Sequence, residues 1–70
     1  MKNTKLVLHQ ELYEKEIIEK TIEAYRSIAK IKLEMEDNYY ICIFYRCKYD
    51  VSITKNEFAN YLIDLANLQE

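Results

Sequence analysis

The chain has 70 residues, of which 50% are hydrophobic and 31% are charged, and its formal net charge is −2. This length allows one domain with a small core, since a chain of this size buries only about 60% of the surface that its unfolded form exposes. No apolar run approaches the roughly 20 residues needed to cross a bilayer, and the first residues do not resemble a signal peptide. We therefore expect a single cytoplasmic domain over residues 1–70, with no membrane partner.

Glycine and proline are both absent from the sequence. Glycine-rich phosphate loops and strained nucleophile turns depend on glycine, so both kinds of site are excluded. Turns have to be formed by other residues, and Asn and Asp are the types that best tolerate a positive φ.

The first half of the chain predicts a strand, a helix and a second strand. Residues 5–9 (KLVLH) form a short apolar run in which Leu6 and Leu8 face the same side. Over residues 12–29 apolar side chains recur at helical spacing opposite a charged half, which predicts an amphipathic helix. Residues 30–36 alternate between charged and aliphatic side chains, the pattern of a half-buried strand.

The second half predicts a strand and a helix. Residues 39–48 are rich in β-branched and aromatic side chains, which favours a strand. Thr54 and Glu57 have the spacing of a capping box, so the last helix is predicted to begin at Thr54. The resulting fold is α+β with the order β-α-β-β-α. We expect a three-stranded sheet with the third strand central and two helices on one face, a split β-α-β arrangement lacking its last strand.

The register of the hairpin decides which residues line the face that the helices leave open, because a slip of one residue exchanges the two faces. A two-residue loop pairs Leu33 with Cys42. A three-residue loop with Asn38 in the left-handed conformation pairs Leu33 with Ile41. The three-residue loop collects the aliphatic side chains of both strands on one face, so it is the predicted register. It places on the open face Tyr40, Cys42, Phe44, Arg46 and Lys48.

In that register the open face presents aromatic and cationic side chains from Tyr40, Phe44, Arg46 and Lys32. Aromatic and arginine residues dominate protein-binding hot spots, so we expect a protein or peptide partner, with Ile63 of the last helix as a further contact. A second interpretation is a small homodimer that uses the sheet edge or this open face to complete its fold. Stacking of single-stranded nucleic acid is a third interpretation, against which the acidic net charge and the lack of a ribonucleoprotein-type motif both argue.

No group of residues points to catalysis, a cofactor or a metal site, so the chain is predicted not to be an enzyme. His9 is the single histidine and has no evident nucleophile or orienting partner. Cys42 and Cys47 differ in parity along one strand, which predicts that they face opposite sides and do not form a disulfide with each other. The glutamates of the first helix match no calcium-loop spacing and are interpreted as a solvated face.

The chain ends in LIDLANLQE, which resembles the motif L-L-N-D-Y-x-L-R-E of the HxsD-like family of small accessory proteins. Leu62, Leu68 and Glu70 match that motif, whereas Leu65 and Ala66 replace its Asp-Tyr. Members of this family belong to His-Xaa-Ser peptide-maturation systems, which contain radical S-adenosylmethionine enzymes that modify a precursor. This chain has no CxxxCxxC motif. The resemblance therefore implies a non-catalytic protein that docks the precursor or its radical enzyme.

Overall fold

A computed structural model describes residues 4–68 of the chain. The elements in chain order are β1 (Lys5–His9), α1 (Lys15–Ala24), β2 (Ala29–Glu36), β3 (Tyr39–Cys47) and α2 (Val51–Leu68). The strands form one antiparallel sheet in the order β1-β3-β2, so β3 is central. The predicted α+β element order and the central third strand are confirmed. Neither helix of the described range is long and apolar enough to cross a membrane.

One hydrophobic core lies between the sheet and both helices. Its buried members are Leu8, Ile17, Ile18, Ala29, Cys42, Phe44, Val51, Phe58 and Leu62. The rings of Phe44 and Phe58 meet edge to face with their centroids 5.2 Å apart, which joins β3 to α2. Because all five elements contribute to this cluster, both helices cover the same face of the sheet. We call this the covered face, and the opposite one the open face.

The first helix is shorter at both ends than the predicted helix of residues 12–29. Leu12 lies in a turn, where its N–H donates to the His9 carbonyl at 3.1 Å and its side chain is 70% exposed. At the other end the helix stops before Tyr25, whose carbonyl accepts a hydrogen bond from the N–H of Ala29 at 2.9 Å. Ala29 then starts β2. The apolar spacing continues beyond the C-terminal end of the helix because Tyr25 and Ala29 still contribute to the core, although the backbone there turns and enters β2.

The second helix begins before the predicted capping box of Thr54 and Glu57. Asp50 Oδ1 accepts hydrogen bonds from the N–H groups of Ser52 at 2.8 Å and Ile53 at 3.3 Å. Thr54 is buried inside the helix, and its Oγ1 donates to the Asp50 carbonyl at 2.9 Å. The predicted start at Thr54 is therefore wrong, because the Asp50 carboxylate satisfies the free donors one turn earlier.

The hairpin between β2 and β3 has a two-residue loop, so the predicted three-residue register is wrong. The loop consists of Asp37 and Asn38, and Leu33 pairs with Cys42. Asp37, rather than Asn38, has the positive φ, at 54°. β3 is apolar on both faces, so its pattern alone selects neither one. The loop and the packing of Phe44 against α2 select the register.

A β-bulge near the end of β3 changes its alternation. The register shifts between Lys30 and Ile31, and Tyr45 has no partner residue of its own on β2. One extra residue reverses the side to which the following side chains point. Cys47 therefore packs against the core on the same face as Cys42, and the prediction of opposite faces is wrong. Both thiols are free.

Candidate functional site: the open face of the sheet

Alternate residues of the three strands line the open face, in rows that cross the sheet. The rows, from β1 through β3 to β2, are Lys5–Ile43–Lys32, Val7–Ile41–Glu34 and His9–Tyr39–Glu36. Neither helix covers these rows, so strand neighbours alone shield their side chains. The two isoleucines of β3 are half-buried, and the residues around them are exposed.

An apolar stripe runs along the middle of the open face and consists of Tyr39, Ile41 and Ile43 of β3. Tyr45, at the bulge, lies beyond the stripe, is 63% exposed, and lines a second concavity together with Ile22 and Arg26. Val7 widens the stripe on the β1 side and is 55% exposed. A contiguous exposed apolar patch on a small domain indicates a contact surface, whereas single exposed apolar residues need no explanation.

The charges of β2 change sign along the strand beside this stripe. Lys30 and Lys32 lie at one end, and Glu34 and Glu36 lie at the other. Lys32 Nζ is 3.4 Å from Glu34 Oε2 at the point where the sign changes. Arg46 lies opposite Lys30 and adds a further positive charge. The open face therefore has a basic end and an acidic end.

The basic end borders a shallow concavity of about 270 Å³ where α1 turns into β2. Four cationic residues contribute to its lining: Arg26, Lys30, Arg46 and Lys48. Arg26 Nη1 is 3.1 Å from Glu23 Oε1, and both of these side chains are largely exposed. This concentration of positive charge favours acidic groups of a partner at the basic end.

The predicted partner-binding residues occupy three different places. Phe44 is 1% exposed and Tyr40 packs against the core, so the prediction that both line the open face is wrong. The two-residue loop is the cause, since it turns their side chains toward the helices. Lys32 lies on the open face and Arg46 lies at its basic end. Ile63 is 44% exposed and lies on α2, across the sheet from the open face.

The sequence pattern does not identify the apolar stripe, because it predicts that the aliphatic side chains of β3 lie in the core. Its residues have the opposite parity to Phe44, and the sequence pattern permits either parity inside. The sequence signal that favours the observed parity is the Asp37-Asn38 pair, which can form a two-residue loop. Two-residue loops are the commonest hairpin connections, and a loop of Asp37 and Asn38 sets the stripe on the open face.

Neither cysteine has the lowered pKa of an activated thiol. Burial raises the pKa of Cys42 to about 11. Burial, and then the carboxylate of Asp50, raise the pKa of Cys47. Reactive thiols have a lowered pKa instead. The His9 ring lies 4.6 Å from the Tyr39 ring, centroid to centroid. Within residues 4–68, no group of three or more His, Cys, Asp or Glu side chains is arranged to hold a metal ion.

Comparison with protein families, with curated proteins and with solved structures finds no match. The resemblance to the HxsD-like family stays a prediction. In the stretch that carries it, Leu62 is buried in the core and Leu68 is 80% exposed at the end of α2. Gln69 and Glu70 lie outside the described residues.

Proposed function

We propose that this chain is a non-catalytic accessory module that acts in the cytoplasm and binds a protein or peptide through the open face of its sheet. The apolar stripe carries the proposal, because neither helix covers Tyr39, Ile41 and Ile43. Tyrosine contributes a large apolar ring with a polar tip, which suits a surface that is wet when free and buried when bound.

The charges beside the stripe define the chemistry of the partner. An apolar segment would cover the centre, acidic groups would meet the basic end, and Lys or Arg would meet Glu34 and Glu36. The resemblance to HxsD-like proteins narrows the choice of partner further. On that basis the partner is a His-Xaa-Ser-containing precursor peptide or the radical enzyme that modifies it.

The other two interpretations from the sequence have different support. A homodimer could form through the edge of the sheet or through the open face itself. Base stacking by nucleic acid was suggested by Tyr40 and Phe44, which belong to the covered face. The stripe itself still offers one tyrosine, Tyr39. A titration with single-stranded nucleic acid at low and high salt therefore belongs beside the protein titrations, and salt-sensitive binding would favour that alternative.

The test is a calorimetric titration of the chain with the products of its neighbouring genes, including a His-Xaa-Ser precursor. The informative variant is Ile41→Thr with Ile43→Thr, which removes apolar area from the stripe while keeping β-branched residues in the strand. We expect the Kd to rise about tenfold or more, since loss of about 1 kcal/mol at each isoleucine is typical of a buried contact.

The matched control is Ile53→Thr, at an isoleucine on α2 that is 57% exposed. Its Kd should stay within about twofold of that of the unchanged protein, a difference well under 1 kcal/mol. Far-ultraviolet circular dichroism has to show that all variants are folded. If the stripe variant binds as tightly as the control, the open face is not the docking site.

A further inference from the structure

The outer edge of β2 is an unpaired strand edge. The N–H of Phe44 donates to the Thr4 carbonyl at 2.8 Å, so from Tyr39 to Phe44, before the bulge, the even-numbered residues of β3 bond toward β1 and the odd-numbered ones toward β2. On β2, Lys32, Glu34 and Glu36 pair with those odd-numbered residues, so their backbone groups bond to β3. The backbone groups of the residues between them point away from the sheet. The residues whose N–H and C=O groups point outward are Ile31, Leu33 and Met35. Within residues 4–68, β2 has β3 as its single strand neighbour.

The opposite edge of the sheet is shorter and partly occupied. β1 has five residues, and the carbonyl of Lys5 accepts a hydrogen bond from Lys55 Nζ of α2 at 3.2 Å. β2 has eight residues and no proline. Long open edges attract another strand, and proteins commonly protect them. The β2 edge is therefore the better site for strand addition.

We propose that a second copy of this chain pairs with the β2 edge, antiparallel and about a two-fold axis at Leu33. Leu33 then lies opposite its counterpart, and Ile31 lies opposite Met35 of the other copy. Each such pair exchanges two backbone hydrogen bonds, so the outward groups of these residues in both copies gain partners. The side chain of Met35 is 60% exposed in the single chain and would meet an isoleucine across this interface.

The charges of β2 select this register. An axis at Leu33 sets Lys30 opposite Glu36 and Lys32 opposite Glu34 of the other copy. All four charges then meet the opposite sign on the open face. An axis shifted by two residues in either direction sets two lysines or two glutamates opposite each other, and an axis shifted by one sets a charged residue opposite its counterpart. Like charges directly opposite in antiparallel strands are destabilising, so the self-complementary order of charges favours one pairing.

The pairing joins two sheets of three strands into one sheet of six. Its two-fold axis stands perpendicular to the sheet, so all four helices lie on one side and both apolar stripes lie on the other. A chain of 70 residues has a small core, and burial at a shared edge adds to it. The edge dimer leaves the stripe free, so this inference goes beyond the proposed function and stands independently of it.

Two charge variants test the pairing by sedimentation equilibrium. Glu34→Lys with Glu36→Lys makes the open face of β2 entirely basic, and Lys30→Glu with Lys32→Glu makes it entirely acidic. We expect the unchanged chain to be a dimer, each variant to be a monomer, and an equimolar mixture of the two variants to form a heterodimer. A monomeric unchanged chain at millimolar concentration, or a mixture that stays monomeric, would overturn the proposal.

A second set of variants separates edge pairing from pairing through the open face. Met35→Pro removes an outward N–H that the single chain does not use, whereas the control Met35→Val keeps it. We expect the proline variant to be monomeric and the valine variant to dimerise. The stripe variant, Ile41→Thr with Ile43→Thr, should also dimerise. If the stripe variant dissociates while Met35→Pro still dimerises, the open face is the interface and the edge proposal is wrong.

Discussion

Phe44 and Tyr45 are adjacent in β3 and have opposite environments. Phe44 is 1% exposed, and its ring meets Phe58 in the core. Tyr45 is 63% exposed at the bulge. Both are large aromatic residues of high β-propensity, so composition and local pattern do not distinguish them. Only the pairing of β2 with β3 decides which ring enters the core.

Substitution at these two positions should therefore have unequal effects on stability. Phe44→Ala should cost about 3–5 kcal/mol, a large part of the roughly 3.5–10 kcal/mol expected for a domain of this size. Phe44→Leu keeps more of the buried apolar volume than Phe44→Ala, so this variant should stay folded and its free energy of unfolding can be measured with urea. Tyr45→Leu should change the free energy of unfolding by less than about 0.5 kcal/mol. A larger loss for Tyr45→Leu than for Phe44→Leu would support the three-residue loop instead.

Burial of the Cys42 thiol makes stability depend on pH in the alkaline range. Its pKa rises from 9.0 to about 11 in the folded chain. Below pH 9 the thiol is protonated in both states. Between pH 9 and 11 the unfolded chain releases the proton while the folded chain retains it, so the free energy of unfolding should fall as pH rises.

This pH dependence is measured by urea unfolding across that range, with Cys42→Ala as the comparison. The variant should lose less stability than the unchanged chain as pH increases, although it is less stable at neutral pH. Cys47→Ala provides the comparison at a half-buried thiol; the pKa of Cys47 is also raised, so its effect should have the same sign and be smaller. If the free energy of unfolding falls equally with pH in the unchanged chain and in Cys42→Ala, the pH dependence does not come from Cys42.

At the scale of elements, the ends of the helices depend on which backbone groups find partners. α1 begins after Glu14, which makes no side-chain capping hydrogen bond. α2 begins with two N–H groups bonded to the Asp50 carboxylate. An aspartate at this position also carries the charge that the positive end of the helix dipole favours. We therefore expect α2 to have the better-defined start.

Asp50→Ala tests this cap. It should lower the free energy of unfolding by about 1 kcal/mol, the usual cost of losing an N-cap acceptor. Asp50→Asn keeps an acceptor oxygen and should lose less. Glu57→Ala is the control, because Glu57 is exposed within the helix and is not the capping partner that the sequence pattern indicates. A greater loss for Glu57→Ala than for Asp50→Ala would restore the helix start predicted at Thr54.

At the scale of the whole molecule, three strands and a single layer of two helices are too few to cover both faces and both edges of the sheet. The helices cover one face, and Lys55 contacts the β1 edge. The apolar stripe and the β2 edge are left. These are separate surfaces, so one chain has room for a second copy at its edge and a different partner on its open face.

Dimerisation at the edge predicts that thermal stability depends on concentration. A dimer that dissociates on unfolding gains stability by mass action, so the Tm of the unchanged chain should rise when its concentration is increased a hundredfold. The basic variant Glu34→Lys with Glu36→Lys should show no such rise. Differential scanning calorimetry measures both proteins. An equal and constant Tm for both would argue against self-association.

The sequence by itself determined the element order, the bounds of β1, the central place of β3 and the order of charges along β2. These follow from short-range patterns: an apolar run, helical spacing and strict alternation. The same patterns placed Lys32 on the open face. They did not determine the ends of α1, because its apolar spacing continues into the turn and into β2.

Only the tertiary structure decided which of the two faces of β3 points to solvent. Ile41 and Ile43 on one side, and Cys42 and Phe44 on the other, are equally suited to a core. The two-residue loop fixes the register, and the packing of Phe44 against Phe58 buries the face of β3 that carries Cys42 and Phe44. A single layer of helices cannot bury both faces of β3. The isoleucines are therefore left on the open face, where the sequence alone had placed Tyr40 and Phe44.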